Sequence, residues 1–318
     1  MKEIGGYLEF ETLTGSGEYY PNLIALNSGR NALAYLIQAK HIQKLYIPGF
    51  LCDTIPLLCT REHIPFERYD IDTQFRPVFE KELEPGEFLY LVNYYGQLSD
   101  DEILFWKQKY DRLIVDHVQA FFQKPLAGID TLYSCRKFFG VPDGAYLATD
   151  TFLEGPLPVD VSASRMGHVL GRFDTDSARD YYTASQDNNR RFRDLELCSM
   201  SRLTHNILGA VDYLHVQNAR ERNYAVLERA LSAQNSLKLS SPIGPYAYPL
   251  YCRNGLQLKK ELAQVGIFVP TLWPNVLEGG NALERDYAAN ILPLPCDQRY
   301  REDDMKRVAS EVLKASAK

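Results

Sequence analysis

Through the first two-thirds of this 318-residue chain, short apolar runs of strand length alternate with helix-patterned stretches. That alternation constrains the fold more than any other feature, because strands separated by helices pair most readily as a largely parallel sheet with helices on both faces. The runs Leu23–Leu26, Lys44–Ile47, Phe66–Ile71, Phe88–Val92, Leu113–Val115, Thr131–Ser134 and Ala145–Thr149 read as strands. Phe88–Val92 is apolar at nearly every residue, as a strand buried on both faces must be. Helical patterns open at Ser28-Gly29-Arg30-Asn31, running to Ala39, and span Asp53 to Arg61. A further helix starts at Ser99, with Asp100-Asp101-Glu102 in its first turn. After a Pro/Gly-rich break at Gly155–Asp160, a long helical region is expected from about Thr175 to Ala233. The last segment, from Tyr246, mixes a strand (Tyr248–Cys252) with helices (Leu256–Val265, Arg301–Ala315). The expected fold class is α/β: a three-layer large domain over 1–200 with a mostly parallel sheet, then 201–318 as a helical connection and a small C-terminal α/β domain.

Charge and composition remove several functions. The net charge is −6 with no long run of either sign, so no basic face for nucleic acid is expected. No apolar stretch is long enough to span a bilayer. Residues 1–17 lack the basic-then-apolar layout of a signal peptide, which points to the cytoplasm. The six cysteines (Cys52, Cys59, Cys135, Cys198, Cys252, Cys296) are scattered without a C-x-x-C pair, so they read as small buried hydrophobes and no metal site is expected. No G-x-G-x-x-G follows the first strand, and no G-x-x-x-x-G-K-[ST] exists, which leaves a nicotinamide or nucleotide site without support.

In open α/β sheets, ligands sit beyond the carboxyl ends of the strands. The residues there are Ser28, Pro48–Cys52, Asn93–Gln97, Asp116–Gln119 and Ser134–Lys137, the richest polar clusters of the first half. Ser28-Gly29 opens a helix whose N-terminal N–H groups and dipole favour an anion. Asp116 ends the apolar strand Leu-Ile-Val-Asp, with Gln119 three residues on, and Lys137 follows the next strand in Ser134-Cys135-Arg136-Lys137. A lysine amine for an imine, a carboxylate for a pyridine nitrogen and a helix N-terminus for a phosphate are the requirements of pyridoxal 5′-phosphate (PLP). Taken singly, the same residues have plainer readings: Lys137 as a solvated lysine, Asp116 as a helix cap, Ser28-Gly29 as a turn. His117 reads as packed or solvated on the opposite face, Tyr94-Tyr95 as packing, and Arg190, Arg191 and Arg193 as a solvated helix face.

These motifs, in this order, resemble the DegT/DnrJ/StrS sugar aminotransferases among fold-type-I PLP enzymes. Ser28-Gly29-Arg30-Asn31-Ala32-Leu33 is similar to the family's S-G-T-x-A-L phosphate turn, Tyr95-Gly96-Gln97 to its Y-G-Q, and Asp116-His117-Val118-Gln119-Ala120 to D-x-A-Q-A. Ser134-x-x-Lys137 followed by Asp143-Gly144 is similar to its lysine segment and G-E-G-G. Leu262–Ile267 and Leu294-Pro295 with Asp303-Asp304 are similar to its small domain, so the likeness runs from about Leu23 to Val308. The resemblance implies a PLP-transferase-like fold and an aminotransferase that moves an amino group from a small amino donor to a keto acceptor, a keto-sugar or other small keto compound. It implies a Schiff base on Lys137, which also shuttles a proton, and Asp116 paired with the pyridine nitrogen. It has Gln119 contact the ring face or its hydroxyl, and places Gly29, Arg30 and Ser134 on the phosphate beside Ser28. Either Phe50 or Cys52 would lie near the ring. A homodimer with sites at the subunit interface is implied as well. The chain departs from the pattern at Arg30, where the family carries threonine, at Pro142-Asp143-Gly144-Ala145, and at Leu197-Cys198-Ser199-Met200, which lacks the asparagine of the family's N-Y-R-M. Those departures keep two other readings open: a PLP-dependent lyase, dehydratase or racemase, and a catalytically inactive PLP-fold binding protein.

Overall fold

Apolar runs that cannot face water on either side become the interior strands of one sheet. The computed structural model describes residues 4–316; residues 1–3 and 317–318, the outer ends of the two expected domains, lie outside the described residues. The strands of the large sheet are β1 (Ile24–Leu26), β2 (Lys44–Pro48), β3 (Phe66–Ile71), β4 (Pro77–Val78), β5 (Glu87–Val92), β6 (Leu113–Asp116), β7 (Asp130–Ser134) and β8 (Ala145–Ala148). Their order is β1-β8-β7-β6-β5-β2-β3-β4. The block from β7 through β6, β5 and β2 to β3 is parallel, whereas β8, β1 and β4 add antiparallel strands at the edges. The α/β class with a mostly parallel central sheet therefore stands, with a mixed edge.

Helices α1 (Gly29–Ala39), α2 (Thr54–Arg61) and α3 (Asp100–Lys109) fall where the sequence pattern placed them. Local chemistry starts each one that matters to the site. The Ser28 side chain accepts from the Asn31 N–H and caps α1, and residues 31–37 of that helix are all buried against the sheet. Ser99 and Glu102 form a reciprocal capping box on α3.

The long helical region expected from about Thr175 to Ala233 is built of several helices and begins earlier, at Gly167. It comprises α4 (Gly167–Thr175), α5 (Tyr182–Arg191), α6 (Arg202–Gly209) and α7 (Tyr213–Leu231). Asp176, in left-handed backbone at φ 55°, ends α4. Residues 197–200 run extended because the sheet edge recruits them: Asn27 N–H donates to the Cys198 carbonyl at 3.0 Å, and Met200 N–H to Ala25 at 3.2 Å. The stretch Leu197–Met200 is thus spent on pairing with its own β1.

The C-terminal part forms a second core. Strands β9 (Tyr248–Tyr251) and β10 (Ile291–Leu294) pair antiparallel. Helices α8 (Gly255–Gln264), α9 (Val276–Gly279), α10 (Ala282–Asn290) and α11 (Glu302–Ser316) complete it. Leu227, Leu231, Leu250, Leu262, Leu292 and Met305 make up much of its interior. The segment also reaches back, since Trp273, Val276 and Tyr287 belong to the core of the large sheet. A third cluster, Phe121, Phe122, Tyr133, Phe138, Phe139 and Tyr146, packs around the Lys137 segment. No described helix is long and apolar enough to cross a membrane.

Candidate active site

The parallel strands deliver their last residues to one edge of the sheet, and a cleft of about 340 Å³ opens there. Ser28, Gly29, Arg30, Cys52, Asp116, Gln119, Ser134 and Lys137 all line it. Of the residues that the resemblance assigns to the cofactor, Phe50 alone stays away from the cleft. Its ring is 1% exposed and packs edge-on against Trp273, with centroids 4.5 Å apart, because an apolar ring gains more from that aromatic core than from a polar cleft. Cys52 remains as the cleft residue of that loop.

Asp116 closes β6 and is 4% exposed. Its Oδ2 accepts from the Tyr90 hydroxyl at 2.6 Å and its Oδ1 from the Val118 N–H at 2.8 Å. Burial pushes the carboxyl above the usual range, while the Lys137 charge and those two hydrogen bonds pull it back. Gln119 is fixed by the Tyr95 N–H, which donates to its Oε1 at 2.8 Å, leaving its amide N–H groups for the cleft. Lys137 ends a 3-10 turn after β7 and is exposed, its Nζ 5.9 Å from the centre of the Tyr246 ring.

Behind Lys137 the backbone is held from the C-terminal half. The Phe138 carbonyl accepts from Arg220 Nη2 at 3.2 Å and from Gln298 Nε2 at 2.8 Å. Asp143, fully buried, accepts from the Ser201 N–H at 2.9 Å, from Ser201 Oγ at 2.7 Å and from Thr204 Oγ1. These bonds tie the Pro142-Asp143-Gly144 turn to the start of α6, and Gly144 supplies the positive φ of 116° that the turn requires.

At the anion end, α1 presents its first N–H groups beside Ser28 and Gly29. A Cβ on Gly29 would stand 3.9 Å from Ser134 Cβ, so the two phosphate candidates are neighbours. The Arg30 Nη2 donates to Thr54 Oγ1 at 3.3 Å, whereas its Nε is buried with no partner. Burial draws the Arg30 guanidinium below its ordinary range, although Cys52 and Asp53 oppose this. An anion at this helix N-terminus would give that donor a partner.

Sequence reasoning missed several cleft residues. Tyr90 carries no motif; it lies two residues before Val92, the register partner of Asp116, so it shares that face of the sheet. Arg136 lays its guanidinium 4.2 Å from the Phe192 ring centre and donates to Asn189 Oδ1 at 2.6 Å; burial lowers it to about 10. Arg190 and Arg193, expected on a solvated face, are exposed and also border the cleft, with Arg193 3.9 Å from Asp53. Helix α5 and the turn after it bring them to its rim, an approach that helical periodicity alone does not reveal. His117 is buried, with Nδ1 3.2 Å from Asn93 Nδ2, and burial lowers it to about 3, so it packs as a neutral ring. Tyr94 and Tyr95 are packed in the core.

No protein-family model matches the chain, and no curated protein does. Solved structures match it in fold. A DegT/DnrJ/EryC1/StrS aminotransferase from Brucella abortus is 17% identical with a TM-score of 0.63, covering 93% of this chain and 86% of its own. NtdA from Bacillus subtilis, with bound cofactor PMP, is 14% identical with a TM-score of 0.66, covering 93% and 73%. PseC from Helicobacter pylori, an aminotransferase involved in the biosynthesis of pseudoaminic acid, is 13% identical with a TM-score of 0.60, covering 91% and 85%. The chain thus has the fold of these aminotransferases.

Proposed function

We propose that this chain is a PLP-dependent aminotransferase whose cofactor is carried on Lys137. The observation that carries the reading is the convergence of Lys137, buried Asp116 and the α1 N-terminus with its unpaired Arg30 Nε on one cleft. A fold shared with a protein bound to PMP supports it. The residues fit the group: an acidic side chain for a pyridine nitrogen, a lysine amine within the same cleft, and unspent donors for a phosphate. Arg30, Ser28, Gly29 and Ser134 would hold the phosphate. Asp116, oriented by Tyr90 and Val118, would face the ring nitrogen. Gln119 would offer its amide to the ring, and Cys52 would stand beside it. When bound, PLP supplies the electron sink that lets an amino group leave an amino acid for a keto compound. Lys137 would hold the cofactor through its amine and would move a proton at the substrate carbon. Tyr90 and the Val118 N–H fix the Asp116 carboxyl, which would meet a pyridine nitrogen without reorganising.

The same reading takes the acceptor as a keto-sugar or other small keto compound, which the fold shared with the sugar aminotransferase CalS13 from Micromonospora echinospora supports. It takes the protein as a cytoplasmic homodimer. Ile4, Tyr7 and Leu8, each more than nine-tenths exposed on the N-terminal arm, offer apolar surface that a second copy would cover.

The test is the visible absorption spectrum with added PLP, before and after borohydride, on wild type and Lys137→Ala. A yellow band that borohydride fixes covalently in wild type and that is missing in the variant is the expected result. No band in wild type at saturating PLP, or an unchanged band and unchanged amino transfer in the variant, sinks the reading. Product analysis with amino donors then separates transfer from elimination or racemisation.

A further inference from the structure

A planar cofactor needs a flat surface beside it, and the loop after Pro48 does not provide one: Phe50 is in the core and Cys52 offers a thiol. Three aromatic residues line the cleft: Tyr90, Phe192 and Trp273. Tyr90 is wholly buried and its hydroxyl is committed to Asp116. The Phe192 ring has the Arg136 and Arg165 guanidinium groups 4.2 and 5.3 Å from its centre. Trp273 meets Phe50, Tyr94 and Tyr95 at interplanar angles of 67°, 88° and 64°, and none of these is a parallel stack.

Trp273 is also held with unusual firmness. Its backbone lies in the left-handed region at φ 55°, which a bulky residue adopts only when its surroundings impose it. Phe75 and Tyr95, at φ 64° and 55°, belong to the same aromatic cluster, with ring centroids 5.8 Å apart. Two residues on, Asn275 Nδ2 donates to the Leu51 carbonyl at 2.9 Å and pins the Trp273 segment to the loop that carries Cys52. The residue is 8% exposed and lines the cleft.

We propose that Trp273, delivered from the C-terminal segment, is the aromatic wall on which the cofactor's pyridine ring rests. The proposal depends on the PLP reading above. An aromatic contact of this kind changes affinity by roughly two- to twelvefold.

Two measurements test it. The first is the PLP dissociation constant from visible titration of wild type, Trp273→Phe and Trp273→Leu. Leucine, which fills space without a flat face, is expected to weaken binding about tenfold, and phenylalanine by no more than about threefold. The second uses the chain's two tryptophans. Trp106 stacks on Tyr110 in α3 and is not part of the cleft. In Trp106→Phe protein, PLP should extinguish the Trp273 emission almost completely, whereas in Trp273→Phe protein it should dim Trp106 only in part. Equal affinity across the three proteins, or Trp273 emission dimmed no more than that of Trp106, overturns the proposal while the PLP reading stands. Absence of PLP binding to wild type overturns both. The emission experiment keeps Trp273 in place, so it decides even where the leucine variant does not fold.

Discussion

Replacing Asp116 by asparagine separates folding from chemistry at one atom. The carboxamide keeps the volume. Its oxygen can accept from Val118, as Oδ1 does now at 2.8 Å, and the Tyr90 hydroxyl, 2.6 Å from Oδ2, can turn to accept from the new amide. No buried group loses its partner. The charge effect has a definite sign. Burial raises the Asp116 pKa, so the folded protein holds this proton to higher pH than the unfolded chain does. Stability attributable to Asp116 therefore falls as pH rises through that window, and the full cost persists above it. Asparagine carries no such cost. Apo Asp116→Asn should then be within about 1 kcal/mol of wild type, or more stable, at neutral pH, and its advantage should shrink on mild acidification. Asp116→Ala orphans one buried hydroxyl and one N–H, at about 1–3 kcal/mol each, for a loss of roughly 2–6 kcal/mol. Urea unfolding of the three apo proteins at two pH values reads these differences, and amino transfer on the same samples reads function. The asparagine variant is expected to fold normally and lose turnover. A destabilisation equal to that of the alanine variant refutes the burial argument, and wild-type turnover refutes the assignment of Asp116 to the ring nitrogen.

Two further outcomes follow from the surroundings of the lysine segment. Asp143→Ala removes a buried acceptor of three hydrogen bonds and should lower stability by about 2–5 kcal/mol; an unchanged urea midpoint contradicts this. Glu18 bonds His205 Nδ1 at 2.6 Å, which raises the His205 pKa; despite burial, bonds from His205 and Tyr146 lower that of Glu18. Histidine's share of the stability is full below its unfolded pKa and vanishes as pH rises through the raised folded value, and glutamate's share vanishes as pH falls. The stability gap between wild type and Glu18→Gln should thus peak between roughly pH 4.5 and 6.5, and a gap that grows steadily toward alkaline pH would be incompatible with it.

What could be read from the sequence was what is decided locally. Strands β5 and β6 announce themselves because burial on both faces leaves no polar position over Phe88–Val92 or Leu113–Val115. The carboxyl ends of β6 and β7 then had to face a ligand crevice, and so Asp116, Ser134 and Lys137 were visible. The breaks within the helical region after Thr175 are not written locally, because one of them is imposed from outside, by the β1 edge pairing with Cys198 and Met200. Phe50 was ambiguous because its fate depends on an aromatic cluster assembled from four distant segments. Trp273 sent no signal at all: nothing in Thr-Leu-Trp-Pro-Asn reports a left-handed backbone or a contact with a loop more than two hundred residues earlier. Arg190 and Arg193 are as solvated as their pattern says, and only the placing of α5 and the turn after it adds that they border the cleft.

The Phe138 carbonyl, gripped by Arg220 and Gln298, has a consequence for biosynthesis. Asp116 and Lys137 leave the ribosome early, but the groups that fix the backbone beside the lysine are made much later. At ~5–20 residues per second, roughly ten to thirty seconds separate synthesis of Lys137 from that of Gln298. During that interval a nascent chain can have its sheet and its lysine yet lack the groups that fix the backbone beside that lysine. On the proposed reading, a seat for a vitamin B6 derivative would be finished only with the last third of the chain, and a chain truncated before Gln298 should bind PLP more weakly than the full chain.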